Sequence, residues 1–563
     1  MYAVLSRSSA GVILSELNGA GDAMVPPRKI TNIAAEVALR EASAAAPRWV
    51  WDDTTRWYPE LVRAGVRVER CVDLRLAHAV IRHSPLTAAS ALAREPDGPW
   101  DRATPESRVP SGALFEWDPD PDSDSIREFG RQLTAIAGSS DSARLRLLLA
   151  AESAGALIST ELKIAGLPWR ADLHEALLID LLGERPRAGE RPAKMQELLL
   201  TVGAALQSPQ FNPDSPSDLL RALGAAGITT TSTRSGELHS IDHPAIAPLL
   251  DYKRRARLLS ANGWNWLDAN VVDGRFHPDY VPGGVVTGRW ASKGGGGALQ
   301  LPKQVRGAVV ADPGWVLVVA DAAQLEPRIL SALAADRAMA EAGRAGDLYA
   351  GIVASGAVET REQAKLAMLG AMYGATSGEA GRLLPRLARA YPRAIALVEA
   401  AARAGERGEV VSTQLGRGSP HGGVLPWDET ATAAEAERVR GNAKSRGRFT
   451  RNFVVQGTAA EWALCWMAGV RRRLFDLGAA EAPSADFGSA AAARVPAPWL
   501  TTSPHLVFFL HDEVVVHCPA ELADRVQEAV RAAATDAGRL LFGELPVSFP
   551  VTVVTVASYA DAK

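Results

Sequence analysis

The stretch that most limits how this chain can fold is Trp315 to Leu330, WVLVVADAAQLEPRIL. Val316 to Ala320 are consecutive apolar residues that run straight into a carboxylate, Asp321. A short continuous apolar run suits a strand buried on both faces. Burying a bare charge is costly, so it is normally paired or sits on a metal. A carboxylate ending such a strand therefore points to a bound cation. Gln324, Leu325, Glu326, Pro327 and Arg328 then read as a turn into a helix. The stretch reads as one half of a metal-dependent phosphoryl-transfer site.

With 563 residues the chain has room for roughly three or four domains. A formal net charge of -3 excludes a uniformly basic nucleic-acid coat but not a local basic cleft. Cys71, Cys465 and Cys518 are far apart, show no zinc spacing and fit a reducing compartment. The N-terminal apolar run breaks at Ser6 and Arg7, so no signal peptide is expected. No run approaches the roughly 18 apolar residues of a membrane helix. The expectation is a soluble, cytoplasmic protein with no membrane partner.

Residues 1 to about 85 alternate short apolar runs with helical patterns, which suggests a small α/β domain. From about 84 to 125 Pro, Ser and Asp dominate, as in a linker. There Asp118, Asp120, Asp122 and Asp124 imitate a calcium loop, but Ser123 and Phe129 stand where that loop needs Gly and Glu. Residues 126 to 260 carry helical periodicity. Lys253, Arg254, Arg255 and Arg257 share one helix there, either a solvated basic face or a clamp on a nucleic-acid backbone. Short strands and turns fill about 264 to 338, including the tetraglycine Gly294 to Gly297. Helical patterns return over 340–440 and 441–475, and an Ala/Pro-rich insert spans about 478–500.

LVFFL, HDE and VVVHC form a hairpin signature with His511, Asp512 and Glu513 at its tip. Taken alone, such a tip is more often a surface turn. If its strands neighbour the Asp321 strand, two carboxylates can hold two divalent cations roughly 3.5–4 Å apart. Such a pair activates an attacking oxygen and neutralises a leaving pyrophosphate, and magnesium suits an all-oxygen site. A third element starts at a capping box, Thr360 with Gln363, and closes at Gly374. Arg361, Lys365, Leu369 and Tyr373 follow at spacing four, on one face of a helix. That face is either a basic exposed edge or a grip for a triphosphate with a stacking ring.

The three stretches together resemble the polymerase motifs of the DNA polymerase I family (family A). The first motif, DxSQxELR, resembles DAAQLEPR at Asp321 to Arg328. The second, RxxxKxxxFGxxYG, resembles REQAKLAMLGAMYG at Arg361 to Gly374, and the third, VHDELV, resembles LHDEVV at Leu510 to Val515. TGRW (287–290), LQLP (299–302), GDLY (346–349), LGR (415–417) and RFTRNFVVQGTAAE (448–461) agree, so the resemblance covers about residues 150 to 563.

The resemblance implies a multidomain α/β (α+β) chain with the right-hand fold: an antiparallel palm sheet, helical fingers and a helical thumb. An N-terminal ribonuclease-H-like, exonuclease-type domain would precede it. The expected division is 1–150 for that domain, 151–265 thumb, 266–338 palm, 339–440 fingers and 441–563 palm again. The implied activity is template-directed addition of deoxynucleotides to a primer end, in a monomer that binds primer–template DNA and deoxynucleoside triphosphates. Two Mg2+ ions, replaceable by Mn2+, would sit on Asp321, the carbonyl of Ala322 and Asp512, with Glu513 in support. Lys365 and Arg361 would hold phosphates. Gln324, Leu369 and Tyr373 would line the nucleotide site, and Glu326 would block a ribose 2′-hydroxyl. Arg289, Asn452, Gln456 and His511 would touch the minor groove and the primer end, where minor-groove acceptors are shared by all base pairs, and Arg448 would also bind DNA. Arg254 would contact the duplex backbone.

The chain departs from the family pattern at Leu369, where Phe or Tyr is usual, which puts sugar discrimination in question. Ala322, Ala323, Pro327 and Trp290 also differ, without removing a metal ligand. A proofreading exonuclease needs about four carboxylates, with DxE in its first strand. Residues 1–30 carry only Glu16 and Asp22 in no such arrangement, and Asp52 or Asp53 reads as a relic. The expectation is a degenerate exonuclease fold and no 5′-nuclease domain. A single-subunit RNA polymerase is disfavoured by Glu326, and a protein that only binds primer–template DNA by the intact Asp321, Asp512 and Lys365.

Overall fold

A computed structural model describes residues 1–8, 11–102, 124–293, 301–375, 378–422, 433–479 and 498–562. Outside these residues lie Asp118, Asp120 and Asp122 of the calcium-like run, the tetraglycine, Leu299 and Gln300 of LQLP, and most of the Ala/Pro-rich insert. The chain forms two compact units. One comprises Met1–Ala165, Asp279–Lys293 and Gly314–Thr555; the other comprises Gly166–Pro278 with the described residues of Gly294–Pro313 and Val556–Lys563.

The first unit opens with a five-stranded sheet of β1 (Tyr2–Ser8), β2 (Gly11–Leu17), β3 (Arg28–Ile30), β4 (Arg48–Trp51) and β5 (Cys71–Asp73), ordered β3-β2-β1-β4-β5. β1 and β2 are antiparallel, whereas β1, β4 and β5 run parallel. Trp49 and Trp51 of β4 are fully buried with Trp57, Tyr58 and Leu61 of the helix Thr54–Arg63. The described part of the expected linker is ordered. Ser84 and Ser90 cap the short turns Pro85–Thr87 and Ala91–Arg94, and Leu92 and Trp100 are buried. Here buried apolar side chains outweigh the polar composition.

In the second unit β6 (Leu167–Pro168), β7 (Val271–Val272) and β8 (Arg275–Phe276) form a small sheet, ordered β6-β8-β7. Trp169, His174, Trp266 and Phe276 pack beside it. Helices supply the rest, including Ile246–Asn262.

The first unit also holds the pair β9 (Tyr280–Val281) and β10 (Ala291–Ser292) and a four-stranded sheet. That sheet consists of β11 (Trp315–Ala322), β12 (His505–Leu510), β13 (Glu513–Pro519) and β14 (Val551–Val556), ordered β12-β13-β11-β14. Leu317 to Ala320 and Val514 to Val516 are all but fully buried, as their unbroken apolar runs require. A 47-residue helix, Ala433–Ala479, packs against the helices Ser142–Ala165, Pro392–Glu406 and Ala523–Phe542. Deep in this packing Arg471 donates to Glu161 at 2.6 and 2.9 Å and to the Val68 carbonyl at 2.6 Å, while Tyr58 also donates to Glu161. The long helix is thereby tied to the helices Ser142–Ala165 and Thr54–Arg63 and to the loop leading into β5 of the N-terminal sheet. Among the described residues no helix is long and apolar enough to cross a membrane.

Candidate active site

β11 and β13 are antiparallel in a register that sets Asp321 opposite Glu513. β12 and β13 close the hairpin with Leu510 opposite Glu513, so His511 and Asp512 form its tip. The Ala322 amide donates to the Asp512 carbonyl at 2.9 Å. Asp321, Ala322, Asp512 and Glu513 thus stand together at one end of the sheet, because the hairpin's strand β13 neighbours β11. Glu513 is buried, and Asp321 and Asp512 are partly exposed.

Two residues near these carboxylates are left-handed without being glycine, one three residues after Asp321 and one just before Asp512. Gln324 has φ 55° and His511 has φ 60°. Such residues cost free energy and tend to cluster where a site dictates the backbone. Partial desolvation, then the charge of Arg289, holds the His511 imidazole below its ordinary value. Behind the hairpin, the Tyr280 hydroxyl donates to the Phe509 carbonyl at 2.6 Å and accepts from the Phe509 amide at 2.9 Å. It ties down the outer strand beside the irregularity between Leu506 and Phe508. Nothing local in the sequence marks this residue.

Gln324 takes the N-cap position of the helix Leu325–Leu333 without a capping side-chain bond, and Pro327 lies in its first turn, where a missing amide is tolerated. Glu326 accepts from Arg289 and from the Tyr373 hydroxyl at 3.0 Å. Burial, then the Glu326 charge, raises the Tyr373 phenol, and Gln456 also hydrogen-bonds it. Arg289 follows Gly288, whose φ of 85° suits glycine and where a Cβ would lie 2.7 Å from the Arg417 Nε. Arg328 is buried and donates to the carbonyls of Ala323, Gly343, Gly346 and Ser548.

The helix Arg361–Tyr373 begins as expected, with Thr360 accepting from the Gln363 amide at 3.1 Å. The Gln363 side chain reaches back to the Glu359 amide, one residue before the usual partner. Gly374 ends the helix in the left-handed region, φ 77°. Arg361, Lys365 and Tyr373 are exposed on one face with Leu369 half-buried among them, while Ala364, Ala367, Met368 and Ala371 are buried. Gln324 donates to Asp347 at 2.7 Å, and Arg361 Nε donates to the same carboxylate at 2.8 Å. Asp347 belongs to the GDLY stretch, which carries no assigned role in the sequence reading. Its position just before an apolar run, as a helix cap, is the signal that could have marked it.

On the long helix Arg448 is exposed, Gln456 meets Tyr373, and the Asn452 Oδ1 is buried with no hydrogen-bond partner among the described residues. Further along, Glu461 is buried and accepts from the Leu415 amide at 2.9 Å and from Thr413. Burial pushes its carboxyl up to about 7, against the pull of those two bonds. Arg254 lies in the other compact unit, where Asp251 pairs with both it and Arg255. The basic face there is therefore partly neutralised.

The site's metal donors would be two carboxylates and a backbone carbonyl. Hard oxygen donors of this kind fit magnesium, which keeps waters and shares substrate phosphates. Among the described residues no group of three or more His, Cys, Asp or Glu is placed to hold a metal.

Residues 189–561 match the family described as DNA polymerase family A. The chain is 27% identical over 387 residues to the thermostable DNA polymerase I of Thermus thermophilus, covering 61% of this chain and 41% of that one. It is 26% identical over 343 residues to DNA polymerase I of Chloroflexus aurantiacus, covering 55% and 32%. The chain spans less than half the length of these curated relatives. Among solved structures, the POL domain of Pol1 from M. smegmatis, in complex with DNA primer-template and dNTP, superposes with a TM-score of 0.64 at 18% identity, covering 100% of this chain and 95% of that one. That likeness shows the fold, a right-hand polymerase of mixed helix and sheet. Since the family match takes in more than half of its residues, this chain belongs to DNA polymerase family A.

Proposed function

We propose that this chain is a template-directed DNA polymerase that extends primers with deoxynucleotides. The observation that carries the reading is the β11–β13 register, which supports Asp321 and Asp512 as a pair at one sheet end. Polymerases of this family generally use divalent metal ions. Two Mg2+, or Mn2+ in their place, would be held by Asp321, the Ala322 carbonyl and Asp512, with Glu513 behind them. When bound, they would supply activation of the attacking oxygen and charge neutralisation on the phosphates.

The chain's own residues do the rest. Arg361 and Lys365 grip the triphosphate, and Lys365 donates a proton to the departing pyrophosphate. Gln324, Leu369 and Tyr373 line the nucleotide site. Glu326 stands as the barrier to a 2′-hydroxyl, a reading supported by its being held from two sides by Arg289 and Tyr373. Arg289, Asn452, Gln456 and His511 touch the DNA at the primer end, Arg448 also binds DNA, and Arg254 touches the backbone. In this reading 151–265 is the thumb, 266–338 and 441–563 the palm and 339–440 the fingers of a cytoplasmic monomer.

Residues 1–150 serve as a degenerate exonuclease domain without proofreading. Two observations support this: β1, YAVLSRS, carries no carboxylate, and Asp52, Asp53 and Asp73 already hold protein groups.

Extension of a labelled primer on a DNA template, with and without deoxynucleotides, tests the proposal. Growth with nucleotides and no shortening without them is expected. Rapid shortening of a mismatched primer would overturn the proofreading part. No growth under either metal would leave a protein that only binds primer–template DNA.

A further inference from the structure

Arg361 projects from the first turn of its helix with about half its side chain in solvent, 52% exposed. Among the described residues it makes one hydrogen bond, from Nε to Asp347 Oδ2 at 2.8 Å. Its guanidinium also lies over the Tyr349 ring, 5.5 Å from the centroid, an arrangement favourable to a cation. The edge bearing Nε and one face are therefore engaged, and the two terminal nitrogens are not.

The carboxylate that holds Nε is itself fixed. Asp347 Oδ1 accepts from the Tyr349 amide at 2.9 Å, the Ala350 amide at 3.2 Å and the Gln324 side chain at 2.7 Å. Gln324 in turn accepts from the Leu348 amide at 2.8 Å. The preceding loop is pinned by Arg328 at the Gly343 and Gly346 carbonyls. Tyr349 is buried. A planar guanidinium can give a carboxylate or phosphate two parallel hydrogen bonds when its orientation is set.

We infer that Asp347 and Tyr349 form a cradle that orients Arg361 and leaves its two terminal nitrogens as a fork for the outer phosphates of a nucleoside triphosphate. This rests on the polymerase reading and adds two positioning residues to it. Asp347 orients Arg361 without competing for the fork, because it takes only Nε. Burial alone would raise the Asp347 carboxyl, but Arg361, the Ala350 amide and Gln324 together hold it below the usual range, so the cradle is anionic at neutral pH.

Asp347→Asn separates positioning from helix capping. Asparagine keeps an oxygen for Gln324 and the two amides and caps a helix as well as aspartate, but sets an NH2 group against Arg361 Nε. The measurement is the affinity of the full chain, with primer–template DNA, for labelled deoxynucleoside triphosphate and for the matching diphosphate, together with KM and kcat for single insertion. The expected result is a loss of about five-fold in triphosphate affinity and a matching rise in KM. Diphosphate affinity, kcat and Tm should stay near wild type. Tyr349→Leu should act in the same direction more weakly. In an Arg361→Ala background, Asp347→Asn should add nothing.

Equal weakening of diphosphate and triphosphate, tighter triphosphate binding, or a full effect persisting without Arg361 would overturn the inference. If the wild-type chain binds triphosphate but fails to extend a primer under magnesium or manganese, the polymerase reading fails while the binding comparison still decides on the cradle.

Discussion

Two sheets of this chain end their strands in aspartates and surround them differently. In the N-terminal sheet, Asp52 after β4 accepts from Trp57 Nε1 at 2.6 Å and Arg56 at 2.7 Å. Asp53 caps the next helix, and Asp73 accepts from the Thr54 amide at 2.7 Å and the Leu76 amide at 3.1 Å. Burial, then the charge of Asp53, pushes Asp73 up to about 7 against those bonds. The neighbouring strand β1 offers no partner carboxylate. In the central sheet Asp321 lies at the end of β11 and Asp512 at the tip of the hairpin leading into the neighbouring β13, with left-handed Gln324 three residues after the first and His511 just before the second. A carboxylate at a strand end is therefore weak information by itself. Paired carboxylates occur in both sheets, since Asp73 faces Trp51 beside Asp52 and Asp53; what separates the candidate site from a set of helix caps is backbone held in a costly conformation beside the pair.

The sharpest way to break this comparison is to remove the carboxylates of each sheet in turn. Asp321→Ala or Asp512→Ala should drop primer extension to background, while Asp52→Asn and Asp73→Asn should leave the rate unchanged. Near wild-type extension in either central mutant would sink the mechanism. Next in size is the tie between the long helix and the N-terminal region. Arg471→Met leaves Glu161 buried without its cation and should cost about 3–5 kcal/mol in urea unfolding. A loss below about 1 kcal/mol would show that the N-terminal region is not a scaffold for the rest.

A smaller effect concerns pH. The folded-state pKa of Glu461 is raised to about 7 from an ordinary 4.5. Its contribution is therefore fully present below pH 4.5 and is lost as pH rises towards and through 7. Glu461→Gln should flatten the fall in stability across that window by about 3 kcal/mol, read as the difference between the two proteins in urea unfolding at the two ends of the window. An unchanged fall would mean that Glu461 is ionised in the fold. The smallest effect is expected at Arg254, exposed and paired with Asp251. Arg254→Ala should leave Tm alone and reduce the salt dependence of DNA binding by about one phosphate contact.

What the sequence reveals follows the range of the forces involved. β11, the β12–β13 hairpin and the Arg361 helix with both its caps are legible because their signals are local: an unbroken apolar run, two β-rich runs around a polar tip, and a Thr-to-Gly frame around spacing four. The region after Ser84 reads as a linker because Pro, Ser and Asp mask two buried anchors, Leu92 and Trp100. Arg471 and Glu161 are 310 residues apart, and Tyr280 and Phe509 are 229 apart. No periodicity links such pairs, and only the fold brings them together. Asp347 lies between these extremes: its capping role is local, but its hold on Arg361 depends on two helices meeting.

The 47-residue helix gives the molecule a mechanical property. Arg448, about a third of the way along it, would touch DNA, and Arg471, near its C-terminal end, is clamped to Glu161. At about 1.5 Å rise per residue the two positions are roughly 35 Å apart along one rod. A tilt of about two degrees at the clamped end would swing Arg448 by about 1 Å, an error on the scale that matters for aligning reacting groups. The N-terminal region then acts as the footing of a lever. A surface with no chemistry of its own would set the aim of the site, and wear at that footing would surface as misaligned insertion before it surfaced as unfolding.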